Sequence, residues 1–187
     1  MNIIIFGPPG AGKGTQAEFL IESYGLNPIA SGDITRRLVN DEVLGDKIRK
    51  YMDAGKLVPN NIIIPLVEKY LSGKMDGNGL LFDGYPRNTG QAKALDRFAK
   101  KNKMAIDLVI NLKLNEEESL KRILFRGQTS GRSDDNAETI KNRLKVYRDR
   151  TAPILDYYRE QGRLKNIDGV QTIEQVAGDI KKLLKTL

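Results

Sequence analysis

A glycine-rich turn near the N-terminus constrains this chain more than any other feature of its sequence. Residues 7–15 read Gly-Pro-Pro-Gly-Ala-Gly-Lys-Gly-Thr. The apolar run at residues 3–6 is rich in β-branched side chains, which is typical of a strand buried on both faces of a parallel sheet. Helix-forming residues follow at 16–21. The sequence therefore predicts a strand, a tight turn and a helix, the context in which such a turn binds phosphate.

Three features suit this turn to a nucleoside triphosphate. Its glycines let backbone N–H groups approach phosphate oxygens without a Cβ in the way. The helix start adds a partial positive charge, and Lys13, which we expect to lie in a solvated cleft, adds a full one. The spacing fits the Walker pattern, although Gly14 stands where Ser or Thr is usual and Thr15 comes one place later. The residues predicted to bind the triphosphate are Gly10, Ala11, Gly12, Lys13, Gly14 and Thr15.

Composition limits the chemistry that the chain can perform. Its 187 residues suffice for one substantial core. It contains neither cysteine nor histidine, which excludes a disulfide, a thiol nucleophile, a histidine base and a Cys/His zinc site. No apolar run approaches the roughly 20 residues of a membrane span, and the N-terminus lacks the layout of a signal peptide. We therefore expect a cytoplasmic protein that does not bind membranes.

The net charge of +7 raises nucleic-acid binding as an alternative. Basic clusters at 47–50, 100–103 and 181–182 lack aromatic residues at stacking spacing, which a nucleic-acid-binding surface would add to the charge. We interpret them as solvated helix faces and expect small polyanions, not nucleic acid, as partners. Oligonucleotide binding at two salt concentrations would test the alternative.

A second signal for phosphate chemistry lies at residues 79–87. An apolar segment ends there in Asp83 and Gly84. In a parallel sheet the Asp83 carboxylate would lie beside the glycine-rich turn, where it could hold Mg²⁺ directly or through water. The alternative is an ordinary strand-ending turn. Arg87 follows a proline, and an arginine on a fixed turn can bind a phosphate through two N–H groups.

The remaining segments predict further strands and helices. Three apolar segments are predicted strands, the last of them at an edge: 28–31, 107–112 and 164–167. Ser31 and its neighbours are predicted to cap one helix, and Asn60 or Asn61 to cap another. Pro153 is expected to kink or break the helix before it.

The stretch 126–135 is polar, glycine-containing and rich in arginine. It contains no apolar residue, so it is predicted to be a surface loop. Such a loop can move over an anion, or it can simply link two helices.

In combination, these motifs closely resemble adenylate kinases, in particular their short form with a reduced lid. The similarity covers essentially the whole chain, and Gly14-Thr15 is the family's own form of the turn. The resemblance rests on these segments: 7–15, Ser-Gly-Asp at 31–33 with Arg36, Asp-Gly-Tyr-Pro-Arg at 83–87 with Gln91, Arg126-Gly, and Ser-Gly-Arg-Ser-Asp-Asp at 130–135.

The resemblance implies one P-loop kinase domain over residues 1–187. Its fold would be α/β, a three-layer P-loop fold with a five-stranded parallel sheet wrapped by helices. Two parts would move: a helical monophosphate-binding segment at 31–59 and a short lid loop at 127–135. Longer forms of the lid can hold zinc, but this loop has no cysteine, so no structural zinc is expected.

The activity implied is Mg²⁺-dependent, reversible phosphoryl transfer from ATP to AMP, giving two ADP. Mg²⁺ would enter with ATP and meet Asp83 through water, and a monomer is favoured. Arg126 would also bind ATP. The catalytic residues implied are Lys13, Arg87, Arg122, Arg126, Arg132 and Arg143. The AMP-binding residues implied are Ser31, Arg36, Lys56, Leu57, Val58, Gly84, Arg87, Gln91, Arg132 and Arg143.

Two other nucleotide-binding functions compete with this one. Asn88 is a feature more associated with UMP/CMP kinases, which are the main alternative. A regulatory NTP-binding switch is less favoured, because the string at 102–105 lacks the Asp of a guanine-binding motif. AMP is preferred as the acceptor because the partly buried Gln91 amide can match both the N6 amino group and the adjacent ring nitrogen of adenine. A pyrimidine would be too short to reach it.

Overall fold

A five-stranded parallel sheet forms the centre of the protein. The computed structural model describes residues 1–75, 77–127 and 137–186. The spatial order of the strands is β2-β3-β1-β4-β5, and every pairing is parallel, which confirms the predicted sheet with the last strand at an edge. The strands are β1 (Ile3–Phe6), β2 (Asn27–Ala30), β3 (Leu80–Asp83), β4 (Leu108–Lys113) and β5 (Leu164–Asp168).

Helices connect these strands and cover the sheet. None of them, within the described ranges, is long and apolar enough to cross a membrane. A π-helical turn, Tyr147–Thr151, lies between the seventh and eighth helices. The α-helices of the described residues are α1 (Lys13–Tyr24), α2 (Ser31–Leu38), α3 (Gly45–Asp53), α4 (Asn60–Ser72), α5 (Thr89–Lys101), α6 (Glu116–Gly127), α7 (Ala137–Val146), α8 (Pro153–Arg159) and α9 (Ile173–Leu184).

The sheet is buried on both faces, which makes the fold three-layered. All four residues of β1 are buried, and they alternate between two hydrophobic clusters. Ile4 and Phe6 pack with side chains from α4, α5 and α8, whereas Ile3 and Ile5 pack with side chains from α1 and α9. Full burial of each such side chain stabilises the fold by about 1.5–3 kcal/mol relative to exposure. The predicted α/β three-layer architecture is confirmed.

The strand order determines where a ligand can bind. The chain leaves β1 in one direction toward β2 and β3, and later crosses to β4 and β5 on the other side. Such a reversal opens a crevice at the carboxyl ends of the strands. The register pairs Ile5 with Asp83 and Phe6 with Asn111, so the end of β1 and the turn that follows it lie between the ends of β3 and β4.

Two predicted helix caps are wrong. Ser31 is the first residue of α2, and its hydroxyl donates to the Gly84 carbonyl instead of capping the helix. Asn60 is the first residue of α4, and its side chain bonds to Asn88 and Gln91. In both cases a partner distant in the sequence replaces the local backbone as the hydrogen-bonding partner.

The predicted effect of Pro153 is confirmed in a specific form. Proline has no backbone N–H, so the regular helical bond cannot form at this position. The chain widens into the π-helical turn instead, and the Ala152 N–H donates to the Tyr147 carbonyl at 2.8 Å. A new helix, α8, then begins at Pro153.

Candidate active site

A cleft of about 690 Å³ opens at the carboxyl edge of the sheet. Among the described residues, seven lysines and arginines line it against three carboxylates, so it suits an anionic ligand. Ala11 is buried and does not line the cleft, while Arg132 and most of the predicted lid loop lie outside the described residues. The predicted site residues that line the cleft are Gly10, Gly12, Lys13, Gly14, Thr15, Ser31, Arg36, Lys56, Leu57, Val58, Asp83, Gly84, Arg87, Gln91, Arg122, Arg126 and Arg143.

The glycine-rich turn requires its glycines. Gly10 and Gly12 have φ angles of 84° and 82°, a region that side-chain-bearing residues rarely adopt. A Cβ on Gly10 would lie 2.8 Å from the Ser119 carbonyl oxygen, because α6 packs directly on the turn. The buried Ser119 hydroxyl also donates to the Pro9 carbonyl. The turn is thereby held rigid, and the first N–H groups of α1 are left without intrahelical acceptors.

Lys13 lies over the turn and is less solvated than predicted. Its Nζ donates to the carbonyl oxygens of Gly7 and Pro8 at 2.8 and 2.9 Å. Burial lowers the pKa of Lys13 from 10.5 to about 8, even though the Asp83 carboxylate acts in the opposite direction. The positive charges that add to this lowering of the pKa come from Arg87, Arg143 and Arg126. All of these charges therefore act on one ammonium group.

Arg36 and Arg87, two arginines that line the cleft, are held by short local contacts. Arg36 forms an ion pair with Asp33 at 2.5 Å, but the two side chains are 45% and 60% exposed. Exposed pairs of this kind contribute little, so Arg36 can exchange Asp33 for a phosphate at small cost. Arg87 Nε donates to the Gly84 carbonyl at 2.7 Å, and the Ser31 hydroxyl donates to the same oxygen. Ser31 therefore braces the turn that carries Arg87.

Arg122, which also lines the cleft, is held by hydrogen bonds to α6 and to the loop after β5. Its Nε donates to the Glu118 carboxylate at 2.8 Å, one turn earlier on α6, and its Nη1 donates to the Gly169 carbonyl at 2.9 Å. The guanidinium thus joins α6 to the loop after β5. Its position beside the cleft is set before any ligand binds.

Helix α7 carries Arg143 to the cleft and contacts the segment at 31–59. Thr139 Oγ1 donates to the Asp53 carbonyl at 3.2 Å, and Asn142 Nδ2 donates to the Ala54 carbonyl. Gly55, with φ 61°, allows this approach, since a Cβ there would lie 3.0 Å from the Thr139 carbonyl oxygen. Segment 31–59 and α7 therefore meet at one edge of the cleft.

Sequence reasoning missed residues that support this site from behind. The Thr151 hydroxyl, in the π-helical turn, donates to the Arg87 carbonyl at 2.9 Å. Tyr147 lines the cleft, and burial raises its pKa to about 12, so it stays neutral. The only local signal was Pro153, which predicted an irregular helix. It did not predict that Thr151 would contact Arg87, 64 positions away.

Asp83 is the candidate metal ligand at the end of β3. The described residues contain no group of three or more side chains that could together hold a metal ion. One carboxylate is nevertheless what Mg²⁺ requires when substrate phosphates and water complete its coordination. The position of Asp83, paired in register with Ile5 just before the glycine-rich turn, fits a metal ion that arrives with a nucleotide.

Comparison with known proteins agrees with this geometry. The model of a family described as "Adenylate kinase" matches residues 5–163. An adenylate kinase of Parabacteroides distasonis is 44% identical over 188 residues, covering 100% of this chain and 99% of its own length. One of Leptospira biflexa is 45% identical, with 97% and 98% covered, and one of Porphyromonas gingivalis is 42% identical, with 95% and 92% covered. The chain belongs to the adenylate kinase family.

In this member of the adenylate kinase family, Asn88 has a structural role inside the protein. Its Oδ1 accepts from the Gln91 N–H at 3.0 Å and thereby caps α5. Its Nδ2 donates to Asn60 at 2.9 Å. The Asn88 amide is thus engaged with the protein, and the UMP/CMP kinase alternative that it suggested is not favoured.

Proposed function

We propose that this protein catalyses the reversible, Mg²⁺-dependent transfer of the terminal phosphoryl group of ATP to AMP, which yields two ADP. The observation that carries the proposal is that one cleft is lined by Lys13 of the turn, the Asp83 carboxylate and three arginines. The charges of Asp83 and of these arginines all act on the Lys13 ammonium. The curated relatives named above are adenylate kinases over nearly their whole length. As part of the same proposal, the protein acts as a cytoplasmic monomer without nucleic acid.

The chemistry needs alignment and charge, not a general base. The attacking oxygen of AMP is already anionic at neutral pH, which suits a chain without histidine. In our proposal the turn and Lys13 bind the phosphates of ATP, while Arg36 and Arg87 hold the phosphate of AMP in line. Arg126 and Arg143 then neutralise the charge that spreads over the transferring group.

Two further parts complete the proposed site. The adenine of AMP lies against the segment at 56–58 and near Gln91, which lines the same cleft. Arg122 supports the ATP side. Segment 31–59 closes over AMP and excludes water, which would otherwise accept the phosphoryl group. The lid predicted at 127–135, with Arg132, remains a prediction about residues that lie mostly outside the described part of the chain.

The residues present fit a nucleotide-borne Mg²⁺. Bound with ATP, the ion would neutralise phosphate charge. Asp83, at the end of β3, would hold it, directly or through water, without help from a second protein carboxylate. The Asp83 carboxylate also favours the charged form of Lys13, so in this proposal it stabilises both the Lys13 ammonium and the metal ion.

The acceptor assay tests this function. Purified protein is given MgATP with AMP, UMP, CMP or GMP in turn, and nucleoside diphosphate formation is followed. We expect AMP to be the best acceptor, because a pyrimidine anchored at Arg36 and Arg87 would not span the distance to Gln91. A preference for CMP or UMP would overturn the proposal, and so would ATP hydrolysis without transfer.

The lowered pKa of Lys13 predicts proton uptake when ATP binds. At pH 8 the free ammonium is about half protonated, and the phosphates of ATP raise its pKa, so about half a proton is taken up per ATP bound. Calorimetric titrations with MgATP at pH 8, in two buffers of different ionisation enthalpy, measure this number. At pH 6.5 the uptake should vanish. An uptake of zero at pH 8 would contradict this prediction.

A further inference from the structure

Three amide side chains form a hydrogen-bonded network behind the cleft. Asn60 Oδ1 accepts from Gln91 Nε2 at 3.0 Å and from Asn88 Nδ2 at 2.9 Å. Asn60 Nδ2 donates in turn to Asn88 Oδ1 at 3.3 Å. Gln91 is 2% exposed yet lines the cleft, whereas Asn60 does not line it. The network therefore joins α4 to the residue best placed to meet a nucleobase.

Two backbone N–H groups determine which way each of these amides points. The Arg87 N–H donates to Gln91 Oε1 at 2.7 Å, so the oxygen of that amide must face Arg87. The Gln91 N–H donates to Asn88 Oδ1, so the nitrogen of Asn88 faces Asn60. Asn60 consequently receives two N–H donors and must present its oxygen. No member of the network can be rotated without placing two donors or two acceptors against each other.

This arrangement limits what Gln91 can offer a ligand. One lone pair of Oε1 is used by Arg87 and one hydrogen of Nε2 by Asn60. One acceptor position and one donor position remain on a side chain that is otherwise enclosed. Together they match a base edge with an amino group beside an unprotonated ring nitrogen. A base with a carbonyl beside a ring N–H presents the reverse pattern.

We infer that Asn60 is a positioning residue that holds the Gln91 amide in the orientation selective for 6-aminopurine over 6-oxopurine monophosphates. The inference rests on the proposed function, in which AMP is the acceptor. Asn60 acts through Gln91 and does not touch the base. Without the Asn60 oxygen, the Gln91 nitrogen loses its acceptor in the network, and the Arg87 N–H alone then opposes rotation of the amide.

Because Gly90 has no side chain, the Asn60 amide can lie close to its backbone. A Cβ at Gly90 would lie 2.7 Å from Asn60 Nδ2 and 3.2 Å from Asn88 Oδ1. Alanine is otherwise favoured over glycine within a helix, and Gly90 has no left-handed φ that would oppose it. Gly90→Ala therefore displaces Asn60 while every amide stays in the chain.

The test compares AMP with IMP, which has the same size but a carbonyl at position 6. For Asn60→Leu we expect the KM for AMP to rise and the AMP-to-IMP ratio of kcat/KM to fall, each about tenfold, while the KM for ATP stays unchanged. Gly90→Ala should move both quantities in the same direction. Asn60→Asp keeps an oxygen for both donors but places its second oxygen against Asn88 Oδ1, so it should retain more of the ratio than Asn60→Leu does. Asn61→Leu, at an exposed neighbouring position, is the matched control and should change neither quantity.

The outcomes separate this inference from the proposed function. If the wild-type protein does not phosphorylate AMP, the proposed function itself fails. If the wild type prefers AMP and Gln91→Leu abolishes that preference, but Asn60→Leu and Gly90→Ala preserve it, Asn60 has no positioning role. A fall in melting temperature for Asn60→Leu with an unchanged AMP-to-IMP ratio would likewise overturn the inference, because it would show a purely structural role. Should Asn60→Leu fail to fold, Gly90→Ala decides.

Discussion

Lys13→Met is expected to fold as stably as the wild-type protein and to lose about 10²–10³-fold in kcat/KM, the effect of removing one preorganised charge from a transition state. The loss should appear mainly in kcat, because the Lys13 ammonium belongs to the group of charges, with three arginines and Asp83, that we propose stabilises the transition state. Methionine keeps the unbranched shape of the lysine stem. The variant thus removes the charge and its two hydrogen bonds to the turn.

The expected stability follows from the direction of the pKa shift. The folded protein binds the Lys13 proton more weakly than the unfolded chain does, with a pKa of about 8 instead of 10.5. The unfolded chain therefore holds more protons between these two values, and stability rises with pH across that window. Below about pH 8 the cost of the desolvated charge is fully present. Removing the charge relieves this cost, which offsets the two lost hydrogen bonds.

Thermal unfolding at pH 7 and steady-state kinetics check both halves of this prediction. Lys181→Met, at an exposed position on α9, is the control and should leave both quantities unchanged. Activity within tenfold of wild type would mean that Lys13 does not reach the reacting phosphates. A strongly lowered melting temperature would mean that the Lys13 contacts to Gly7 and Pro8 are needed to shape the turn.

The parts of this protein that were predictable from sequence are those determined by local chemistry. An unbroken apolar run at Ile3–Phe6, rich in β-branched residues, favours a buried strand. Gly10 and Gly12 occupy backbone conformations that almost only glycine adopts. Asp83 ends an apolar run, so a parallel sheet places it beside the glycine-rich turn whatever the arrangement of the intervening helices. Each of these signals lies within a few residues of its consequence.

The missed features depend on partners that the fold brings together. Ser31 and Asn60 have the residue types of helix caps, and both bond instead to residues 53 and 31 positions away. The contact between Thr151 and Arg87 spans 64 positions. The lowered pKa of Lys13 likewise comes mainly from burial in the folded protein, with smaller contributions from positive charges such as the arginines of α6 and α7. A local sequence pattern cannot predict contacts between residues so far apart in the chain. A polar residue could also bond to any of several chemically equivalent partners.

The second large effect is expected for Asp83→Asn, which should lower kcat/KM about 10²-fold at pH 8, a loss on the scale of one electrostatic contact in an active site. Two causes combine. The carboxylate proposed to hold Mg²⁺ is lost, and so is the negative charge that raises the pKa of Lys13. Lys13 should then lose its proton at a lower pH than in the wild type. Asparagine keeps the size of the side chain, so the strand end is undisturbed.

The pH profile of kcat/KM distinguishes these two causes, because it reports ionisations of the free enzyme. In the wild type the profile should fall as pH rises through about 8. In Asp83→Asn the fall should begin at lower pH, and added Mg²⁺ should restore only part of the activity. Asp107 immediately precedes β4, at the amino ends of the strands and so on the side of the sheet away from the cleft. Asp107→Asn is the matched control and should keep the wild-type profile.

A double-mutant cycle completes the argument about Asp83. If Asp83 works partly through Lys13, the effects of Asp83→Asn and Lys13→Met should not add, and the double variant should be less impaired than their product predicts. Full additivity together with an unshifted pH profile would assign Asp83 to the metal alone. Wild-type activity and an unchanged profile in Asp83→Asn would reduce Asp83 to the strand-ending turn residue that its sequence context also allowed.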